Sequence, residues 1–408
     1  MKKIVITGMG AVTPIGIGVD AYWNNVTAGK SGIDTIKSFD PSELAVQIAG
    51  EVKNFNPSDY MPKDLIRKTD PFMQYAYIAA EEALKQSKLE IEPERTGIVM
   101  GTAMNGIATI AFTQDALSGA AHKKVGPRFI PKILGNIAAA TIAIEHNIQG
   151  PSLTVGTACS SGGDAINTAC MCIHLGKADV MLAVGAESVL CPLVIYSLAN
   201  AKALSRRNDS PSTASRPFDV TRDGFVIGEG GGALILETEE HALARGAKIY
   251  GEVLGCGNTS DAHHVTAPHP EGRGAIACMK QAIEEAGISA DEIGYVNAHG
   301  TSTHKGDAVE TSAIKTVFSE KLPYVTSTKG ATGHMMGAGG ITEVITCVKA
   351  IETGVIPPTI NLTEVDPECS GIDFVPNTAK KAEINYAMSN AFGFGGQNSS
   401  IIVGRYKA

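Results

Sequence analysis

The sequence is poor in aromatic residues and contains no CxxC motif and no long apolar stretch. Aromatic residues make up 5% of its 408 positions, with a single Trp. The eight cysteines show no spacing typical of a disulfide framework, which indicates a reducing compartment. The first apolar run is too short for a signal peptide, and no stretch of about 18 apolar residues occurs. We therefore predict a cytoplasmic protein with no membrane span.

Positive charge is also scarce. The 34 Lys and Arg residues are outnumbered by 42 Asp and Glu residues, which gives a net charge of −8. Nucleic-acid-binding domains are usually basic overall, so no nucleic-acid partner is predicted. Glycine, in contrast, is abundant, with 45 residues. This composition favours tightly packed α/β layers with many sharp turns between strands and helices.

Short apolar runs followed by small-residue turns predict an α/β fold. The predicted strands cover residues 3–7, 97–100, 153–157, 178–183 and 230–236. Asp70 and Pro71 are typical of a helix start, since one caps the helix and the other fits its first position. The glycines after the first strand, in GMGAVTPIG, predict a tight turn. They do not predict a dinucleotide site, because Thr13 and Pro14 interrupt the GxGxxG loop and its helix.

The second half of the chain repeats features of the first. The stretch IGYVNAHGTST resembles TGIVMGTAMNG, and PYVTSTKGATGHMMGAGG resembles SLTVGTACSSGG. Each reads as a strand that runs into a small-residue corner. Internal similarity of this kind indicates a duplicated architecture. We predict two related halves, residues 1–250 and 251–408, which pack as one body and share a site.

Cys159 is the thiol whose position is most unusual. In TACSSG it follows a predicted strand, precedes a predicted helix and has only small neighbours. A thiol in the first turn of a helix meets free N–H groups and the positive end of the dipole, which lowers its pKa. Small neighbours would also let a substrate carbonyl approach. The alternative is a buried structural thiol, which fits Cys170, Cys172 and Cys347 on their helical segments.

Two histidines occupy predicted strand-end loops, where site residues are common. His299 lies in VNAHGTST and His334 in TKGATGHMMGAGG. Lys329 precedes His334 in the same loop, and Glu343 on the following helix can pair with it. On pattern alone a solvated lysine is the better interpretation of Lys329.

Two other features leave alternatives open. His263 and His264 are adjacent, but no carboxylate or cysteine completes a ligand set with ordinary spacing, so no metal site is predicted. The segment GFGGQN, residues 393–398, can be a mobile loop that offers a backbone N–H to a reacting oxygen. It can equally be a plain hairpin turn.

Four blocks together resemble the signature motifs of the condensing enzymes. They are TACSSG (157–162), NAHGTST (297–303), STKGATGHMMGAGG (327–340) and FGFGGQN (392–398). In order and spacing they are similar to those of the β-ketoacyl-[acyl carrier protein] synthases of the I/II class, and the likeness covers essentially the whole chain. The resemblance implies a thiolase-like five-layered αβαβα fold built from two duplicated halves. It also implies a homodimer, an acyl carrier protein as partner, and no metal or organic cofactor.

The resemblance also assigns roles to individual residues. It implies that Cys159 is the nucleophile, that His299 and His334 are catalytic, and that Lys329 supports them together with Glu343 and Asp307. The segment of Phe392, Gly393, Phe394 and Gly395 is implied to form a gate and, with Cys159, an oxyanion site. Thr301 and Thr303 are expected to bind pantetheine, and Met104 to line the acyl pocket. Carrier docking is expected at Lys63, Arg67, Lys68, Lys123, Lys124, Arg128, Arg206 and Arg207, although a solvated surface is the alternative for each cluster.

The implied reaction is the decarboxylative condensation of an acyl chain on Cys159 with malonyl-[acyl carrier protein]. Three departures from the family pattern, namely His304–Lys305, Gln397 and Met104, bear on chain-length preference and not on the type of reaction. An elongating ketosynthase of a type II polyketide or polyene pathway is the main alternative, since it would share every catalytic residue. A non-catalytic partner subunit would generally lack the cysteine, and a degradative thiolase would need a second reactive cysteine that FGFGGQN does not provide.

Overall fold

The computed structural model describes residues 2–118 and 125–407. Its strands are β1 (Ile4–Thr13), β2 (Gly16–Ile17), β3 (Asp34–Thr35), β4 (Ile48–Ala49), β5 (Thr96–Gly101), β6 (Ser152–Val155), β7 (Val180–Glu187), β8 (Gly230–Thr238), β9 (Gly251–Ser260), β10 (Ile293–Asn297), β11 (Tyr324–Thr326), β12 (Val355–Ile356), β13 (Lys380–Lys381), β14 (Tyr386–Gly393) and β15 (Gln397–Gly404). Its helices are α1 (Val19–Thr27), α2 (Lys63–Lys68), α3 (Pro71–Ser87), α4 (Ile107–Ser118), α5 (Phe129–Ile133), α6 (Asn136–His146), α7 (Ser161–His174), α8 (Pro192–Asn200), α9 (Glu239–Ala244), α10 (Arg273–Ala286), α11 (His304–Val317), α12 (Lys329–Thr332) and α13 (Gly339–Thr353).

The main sheet consists of two sections with the same topology. In the first half the strand order is β6-β5-β7-β8-β1, and in the second half it is β11-β10-β14-β15-β9. In each section the first two pairings are parallel and the last two are antiparallel. A short antiparallel pairing of β1 with β9 joins the sections. The predicted boundary at residue 250 lies between α9 and β9.

Helices cover both sections and fill the space between them. Helix α3 packs on β1, β7 and β8, and α10 packs on β9 and β15. Helices α7 and α13 contact each other, and each packs on its own section of the sheet. The order of layers is therefore α3, sheet, α7 with α13, sheet, α10. This arrangement confirms the predicted five-layered αβαβα fold of two similar halves.

The start of α3 also matches its prediction. The Asp70 side chain accepts a hydrogen bond from the N–H of Phe72 at 3.2 Å, and Pro71 occupies the first helical position. The core side of α3 is buried and consists of residues at helical spacing, namely Met73, Ala76, Tyr77, Ala80 and Leu84. Among the described residues, no helix has the length and apolar character needed to cross a membrane.

The tight turn predicted in GMGAVTPIG lies later than expected, at Pro14 and Ile15 between β1 and β2 and not at the first two glycines. Strand β1 continues through Gly8 and Gly10 to Thr13, with an irregular register near Gly8. A Cβ atom on Gly10 would lie 1.9 Å from the carbonyl oxygen of Ala79, and one on Gly8 would lie 2.2 Å from that of Ala83. These glycines let α3 approach the sheet closely, so they serve packing within a strand and not chain reversal.

Candidate active site

Cys159 lies in the short 3-10 turn Ala158–Ser160 between β6 and α7. Ala158 has a φ of 51°, a left-handed conformation that is uncommon for a residue with a Cβ. The hydroxyl of Ser160 donates to the carbonyl oxygens of Thr157 (2.9 Å) and Gln397 (2.8 Å). The turn that presents the thiol is therefore tied to β15 in the other half of the chain.

His334 is the closest titratable neighbour of the thiol. Its Nε2 atom lies 2.9 Å from Cys159 Sγ. The backbone N–H of Met336 donates to His334 Nδ1 at 3.3 Å, so Nδ1 acts as an acceptor. A neutral imidazole carries one proton, which must then be on Nε2. The ring therefore presents a hydrogen-bond donor towards the sulfur and towards any group bound beside it.

His299 follows β10 and faces His334. The two ring centroids are 5.2 Å apart and the ring planes are at 85° to each other. One ligand atom from each of Cys159, His299 and His334 lies within 4.8 Å of the other two. The carboxylate of Glu310 accepts the backbone N–H groups of His299 (2.8 Å) and Gly300 (2.7 Å). The chain thus brings together three residues that are far apart in sequence, and Glu310 fixes the loop that carries one of them.

Both histidines are held in the neutral form. Burial lowers the pKa of His299 and of His334 well below the ordinary value of 6.5, and the charge of Lys329 lowers both further. At neutral pH the two rings are therefore neutral hydrogen-bond donors. A neutral donor can stabilise a developing oxyanion without first having to lose or gain a proton.

The expected low pKa of Cys159 was wrong. Burial raises the pKa of this thiol to about 11. The backbone N–H of Phe394, which donates a hydrogen bond to the sulfur, and the charge of Lys329 oppose that shift only in part. The sequence argument considered the helix dipole and omitted desolvation, which has the larger effect because the side chain is only 8% exposed.

Lys329 and Glu343 form an ion pair with almost no access to solvent. Burial raises the pKa of Glu343, and the neighbouring ammonium of Lys329 counteracts this rise. The carbonyl oxygen of Lys329 also accepts the hydroxyl of Ser215 at 2.7 Å. Lys329 is therefore not a solvated lysine. It places a fixed positive charge close to the two histidines.

Asp307 lies apart from the three catalytic candidates. Its carboxylate accepts the N–H groups of Phe218 (2.8 Å) and Ser302 (3.1 Å) and lies 3.4 Å from Nε of the buried Arg222. Burial raises its pKa to about 6. Asp307 thus fixes the loop of Thr301 and Thr303, whose hydroxyl oxygens are 3.1 Å apart.

The gate segment forms the tight turn between β14 and β15. The Phe392 ring lies 6.1 Å from that of His299. A Cβ on Gly393 would lie 2.8 Å from the carbonyl oxygen of Thr157, so only glycine fits against the cysteine turn. Gly395 has a φ of 88°, and the Phe394 side chain is 39% exposed. The segment is therefore a hairpin turn, and the same turn directs the backbone N–H of Phe394 at the thiol.

Met104 follows β5 and packs against an apolar cluster that includes Cys159. The buried residues of this cluster include Ala111, Val189, Leu190, Phe225 and Met336. Sequence reasoning missed Glu187 at the end of β7, whose carboxylate binds the backbone of Met104, and it missed Glu310. The signal available for Glu187 was an acidic residue at the end of an apolar strand. The signal available for Glu310 was a second acidic residue three positions after Asp307 on α11.

Several buried side-chain atoms beside the site have no hydrogen-bond partner among the described residues. They are Nδ2 and Oδ1 of Asn297, Nδ1 of His299 and Oε2 of Glu343. Buried polar atoms normally find a partner, including ordered water. An amide oxygen and a carboxylate oxygen are atoms that can hold water or a small cation.

The structure describes six of the eight expected docking residues. Lys63, Arg67 and Lys68 are exposed on α2. Arg67, Arg128 and Lys132 line a groove of about 680 Å³ that also includes Phe112 and Leu117. Arg206 is exposed, whereas Arg207 is tied to Asp223 at 3.6 Å. Lys123 and Lys124 lie outside the described residues.

Two parts of the sequence match known family models. Residues 1–242 match the beta-ketoacyl synthase N-terminal domain, and residues 250–363 match the beta-ketoacyl synthase C-terminal domain. The chain is 44% identical over 411 residues to 3-oxoacyl-[acyl-carrier-protein] synthase 2 of Vibrio cholerae serotype O1, covering 99% of each chain. The protein of the same name from Staphylococcus aureus strain COL is 42% identical over 412 residues, covering 100% of this chain and 99% of the relative.

Solved structures agree with these matches. The ishigamide ketosynthase/chain length factor and a beta-ketoacyl synthase from Burkholderia phymatum STM815 are each 34% identical, with TM-scores of 0.92 and full coverage of both chains. AntDE:AntF, a type II PKS acyl-carrier protein in complex with its ketosynthase, is 32% identical with a TM-score of 0.90 and full coverage. With both family domains matched and relatives 42–44% identical over nearly its whole length, the chain belongs to the beta-ketoacyl synthase family.

Proposed function

We propose that this protein catalyses the decarboxylative condensation of an acyl chain with malonyl-[acyl carrier protein] in type II fatty-acid biosynthesis. The observation that carries the proposal is the grouping of Cys159, His299 and His334 within 4.8 Å, with a backbone N–H of Phe394 directed at the sulfur. This is a nucleophile with two neutral donors beside it and a preorganised site for an oxyanion.

In the first step the Cys159 thiolate attacks the thioester carbonyl of an acyl-carrier protein. A carbon–sulfur bond to Cys159 forms, and the bond to the carrier thiol breaks. The carrier leaves as the free thiol, taking the proton that Cys159 lost. The N–H groups of Cys159 and Phe394 stabilise the oxyanion of the tetrahedral intermediate. Because the resting thiol has a pKa of about 11, donors that stabilise negative charge at this point are essential.

In the second step malonyl-carrier protein loses its carboxylate as CO2. The electron pair of the breaking bond moves into an enolate, whose oxygen accepts hydrogen bonds from His299 and His334. The carbanion then attacks the acyl-Cys159 carbonyl, forming a carbon–carbon bond and releasing the Cys159 thiolate. The product is a 3-oxoacyl chain two carbons longer. Burial, reinforced by the charge of Lys329, keeps both rings neutral in this step, so that they donate hydrogen bonds to the enolate oxygen.

The relatives favour a fatty-acid substrate over a polyketide. Identity to proteins named 3-oxoacyl-[acyl-carrier-protein] synthase 2 is 42–44%, whereas identity to the ishigamide and AntDE:AntF ketosynthases is 32–34%. The test is turnover with saturated acyl-carrier proteins of several lengths beside unsaturated and polyketide chains. Turnover of saturated chains supports the proposal. Activity confined to unsaturated or polyketide chains would overturn the fatty-acid assignment but not the proposed decarboxylative condensation.

We propose that the carrier protein docks on the exposed cations of α2 and on the adjoining groove. Within residues 2–118 and 125–407, Lys63 and Arg67 form no salt bridge and both are exposed, whereas Lys68 is paired with Asp64. The groove beside them combines the cations of Arg128 and Lys132 with an apolar floor. Such a surface suits an acidic partner that also inserts an apolar side chain, and its binding should weaken with salt.

We also propose a homodimer formed through β6. This strand is the outer strand of its section of the sheet and is exposed along most of its length. Exposed apolar side chains lie on β6 and beside it, namely Leu153 on the strand, Ile144 on α6, Met171 on α7 and Leu175 directly after α7. An exposed strand edge with apolar flanks is a pairing surface, and a second copy would pair with it symmetrically. Sedimentation of the wild type and of Leu153→Lys tests this, because the lysine should shift the species towards the monomer.

We place the reaction in the cytoplasm. The eight cysteines are all free, as expected of a protein in a reducing compartment. Fractionation of cells that produce the protein would check this location.

A further inference from the structure

Glu187 is a buried carboxylate that touches two parts of the site. It is the last residue of β7 and is 0% exposed. Its Oε1 atom accepts the Thr102 hydroxyl and the Met104 N–H, each at 3.1 Å. Its Oε2 atom accepts the N–H groups of Ala103 (2.6 Å) and Gly337 (3.2 Å). These four donors favour the ionised carboxylate, which only accepts, and they oppose the burial that raises the pKa of Glu187 to about 7.

The first three donors belong to the wall of the apolar cluster around the nucleophile. Ala103 and Met104 pack against the cluster that contains Cys159. An acyl chain attached to Cys159 must occupy space that these side chains border. The position of this wall therefore depends on the Glu187 carboxylate, which binds the backbone N–H groups of Ala103 and Met104 and the hydroxyl of Thr102.

The fourth donor belongs to the turn that fixes His334. Gly337 follows Met336, whose N–H donates to His334 Nδ1. A Cβ on Gly337 would lie 2.9 Å from Glu187 Oε2 and 2.9 Å from the Cα of Thr102. The two segments are thus in direct contact, and the carboxylate is shared between them.

We propose that Glu187 is a positioning residue that couples the acyl-pocket wall at Met104 to the turn that orients His334. This inference rests on the proposed condensation. A chain that presses on Met104 shifts the carboxylate, and the carboxylate in turn holds Gly337 and the N–H that selects the His334 tautomer. Acyl chains of different length therefore reach the carbon–carbon bond-forming step with His334 in different positions, and Glu187 contributes to chain-length selectivity.

Glu187→Gln tests the coupling, because it preserves size but replaces one acceptor oxygen by an NH2 group facing two donors. Buried donors without partners are costly, and we expect the ratio of kcat/KM for the longest accepted chain to that for the shortest to change by about fivefold to a hundredfold. The rate of Cys159 acylation is measured for each chain as well, so that a change in loading is separated from a change in the carbon–carbon bond-forming step.

Glu237→Gln is the matched control. Glu237 is also 0% exposed, but it lies at the opposite end of the β7–β8 pair, where it pairs with Val180 and binds Arg245. We expect Glu237→Gln to change kcat/KM by the same factor for every acyl chain length. Thr102→Val is a second test, because it removes one hydrogen-bond donor to Glu187 and keeps the shape of the side chain. It tests the coupling if Glu187→Gln does not fold.

The outcomes separate this inference from the proposed function. A length-dependent change for Glu187→Gln or Thr102→Val, together with a uniform change for Glu237→Gln, supports the coupling. A uniform change in all three variants overturns it and leaves Glu187 a structural residue. Absence of condensation in the wild type would instead refute the proposed function itself.

Discussion

The backbone N–H of Met336 donates to Nδ1 of His334, and this one contact places the ring proton on Nε2, 2.9 Å from the sulfur of Cys159. The histidine nearest to the nucleophile is therefore a donor and not a base. This favours a role in stabilising an enolate or thioester oxygen over the proton abstraction that a cysteine–histidine pair usually performs.

Replacing Cys159 by Ala should separate the two halves of the reaction. The variant cannot form the acyl-enzyme, so condensation should be abolished. Decarboxylation of malonyl-carrier protein should continue, because His299 and His334 still meet the thioester oxygen. Release of labelled CO2 measured beside 3-oxoacyl product formation checks this. Loss of CO2 release together with product would contradict the division of roles.

Replacing either histidine by Ala should suppress decarboxylation. Removal of one preorganised donor to a developing oxyanion typically costs about a hundredfold to a thousandfold in rate. We expect losses of this size for His299→Ala and for His334→Ala, while acyl transfer to Cys159 should fall much less. The matched control is His241→Ala, on a histidine that binds Glu237 far from the site. Full decarboxylation in both site variants would refute the enolate role.

The raised pKa of Cys159 predicts a particular pH dependence of its alkylation. The thiolate is the reactive form, and with a pKa of about 11 its fraction rises with pH throughout the neutral range. The rate constant for iodoacetamide should therefore increase about tenfold per pH unit between about pH 7 and 9. Replacing Lys329 by Met removes a cation that lowers this pKa and should slow alkylation at every pH. A plateau below about pH 8 would show a thiolate already formed at rest.

The buried Lys329–Glu343 pair predicts an asymmetric loss of stability. Removing one partner of such a pair leaves an uncompensated charge and typically costs about 3–5 kcal/mol. Lys329→Ala should lower the free energy of unfolding by this amount. Glu343→Gln should cost less, because the amide oxygen can still accept from the ammonium. Denaturant unfolding of both variants and of the double variant measures the coupling; purely additive losses would contradict a direct pair.

The carrier-docking proposal predicts a salt-dependent KM. Arg67→Glu should raise the KM for acyl-carrier protein several-fold and reduce its dependence on ionic strength, with little change in kcat. Lys280→Glu, on the exposed side of α10, is the control with the same change of charge. Equal effects of both variants on the KM would indicate a general effect of surface charge and would contradict a docking site at α2.

Much of this fold could be predicted from local pattern. The Asp70–Pro71 start of α3 and the strands at 97–100, 178–183 and 230–236 are set by residues close in sequence, and the structure confirms these elements within a few residues. The β1 glycines were misread because their function lies in contact with α3, about seventy residues away in the chain. A pattern confined to a window of sequence cannot contain that contact.

The site residues also divide into those with a local sequence pattern and those whose role depends on distant segments of the chain. Cys159, His299 and His334, which the structure brings together, could be proposed from the sequence because each lies in a loop of small residues after a predicted strand. Glu187 and Glu310 were missed because their role is to accept backbone N–H groups from other segments, which leaves no motif. The pKa of Cys159 was misjudged for a related reason, since the helix dipole is a local property whereas desolvation depends on everything packed around the thiol.

The most direct test follows one acyl group through the reaction by mass spectrometry. The protein is incubated with an acyl-carrier protein, the modified peptide is mapped, and malonyl-carrier protein is then added. We predict an acyl group on Cys159 alone, which disappears as one CO2 and one 3-oxoacyl-carrier protein, two carbons longer, are formed. Acylation of any other residue, or CO2 release that leaves the acyl-Cys159 intact, would contradict the account.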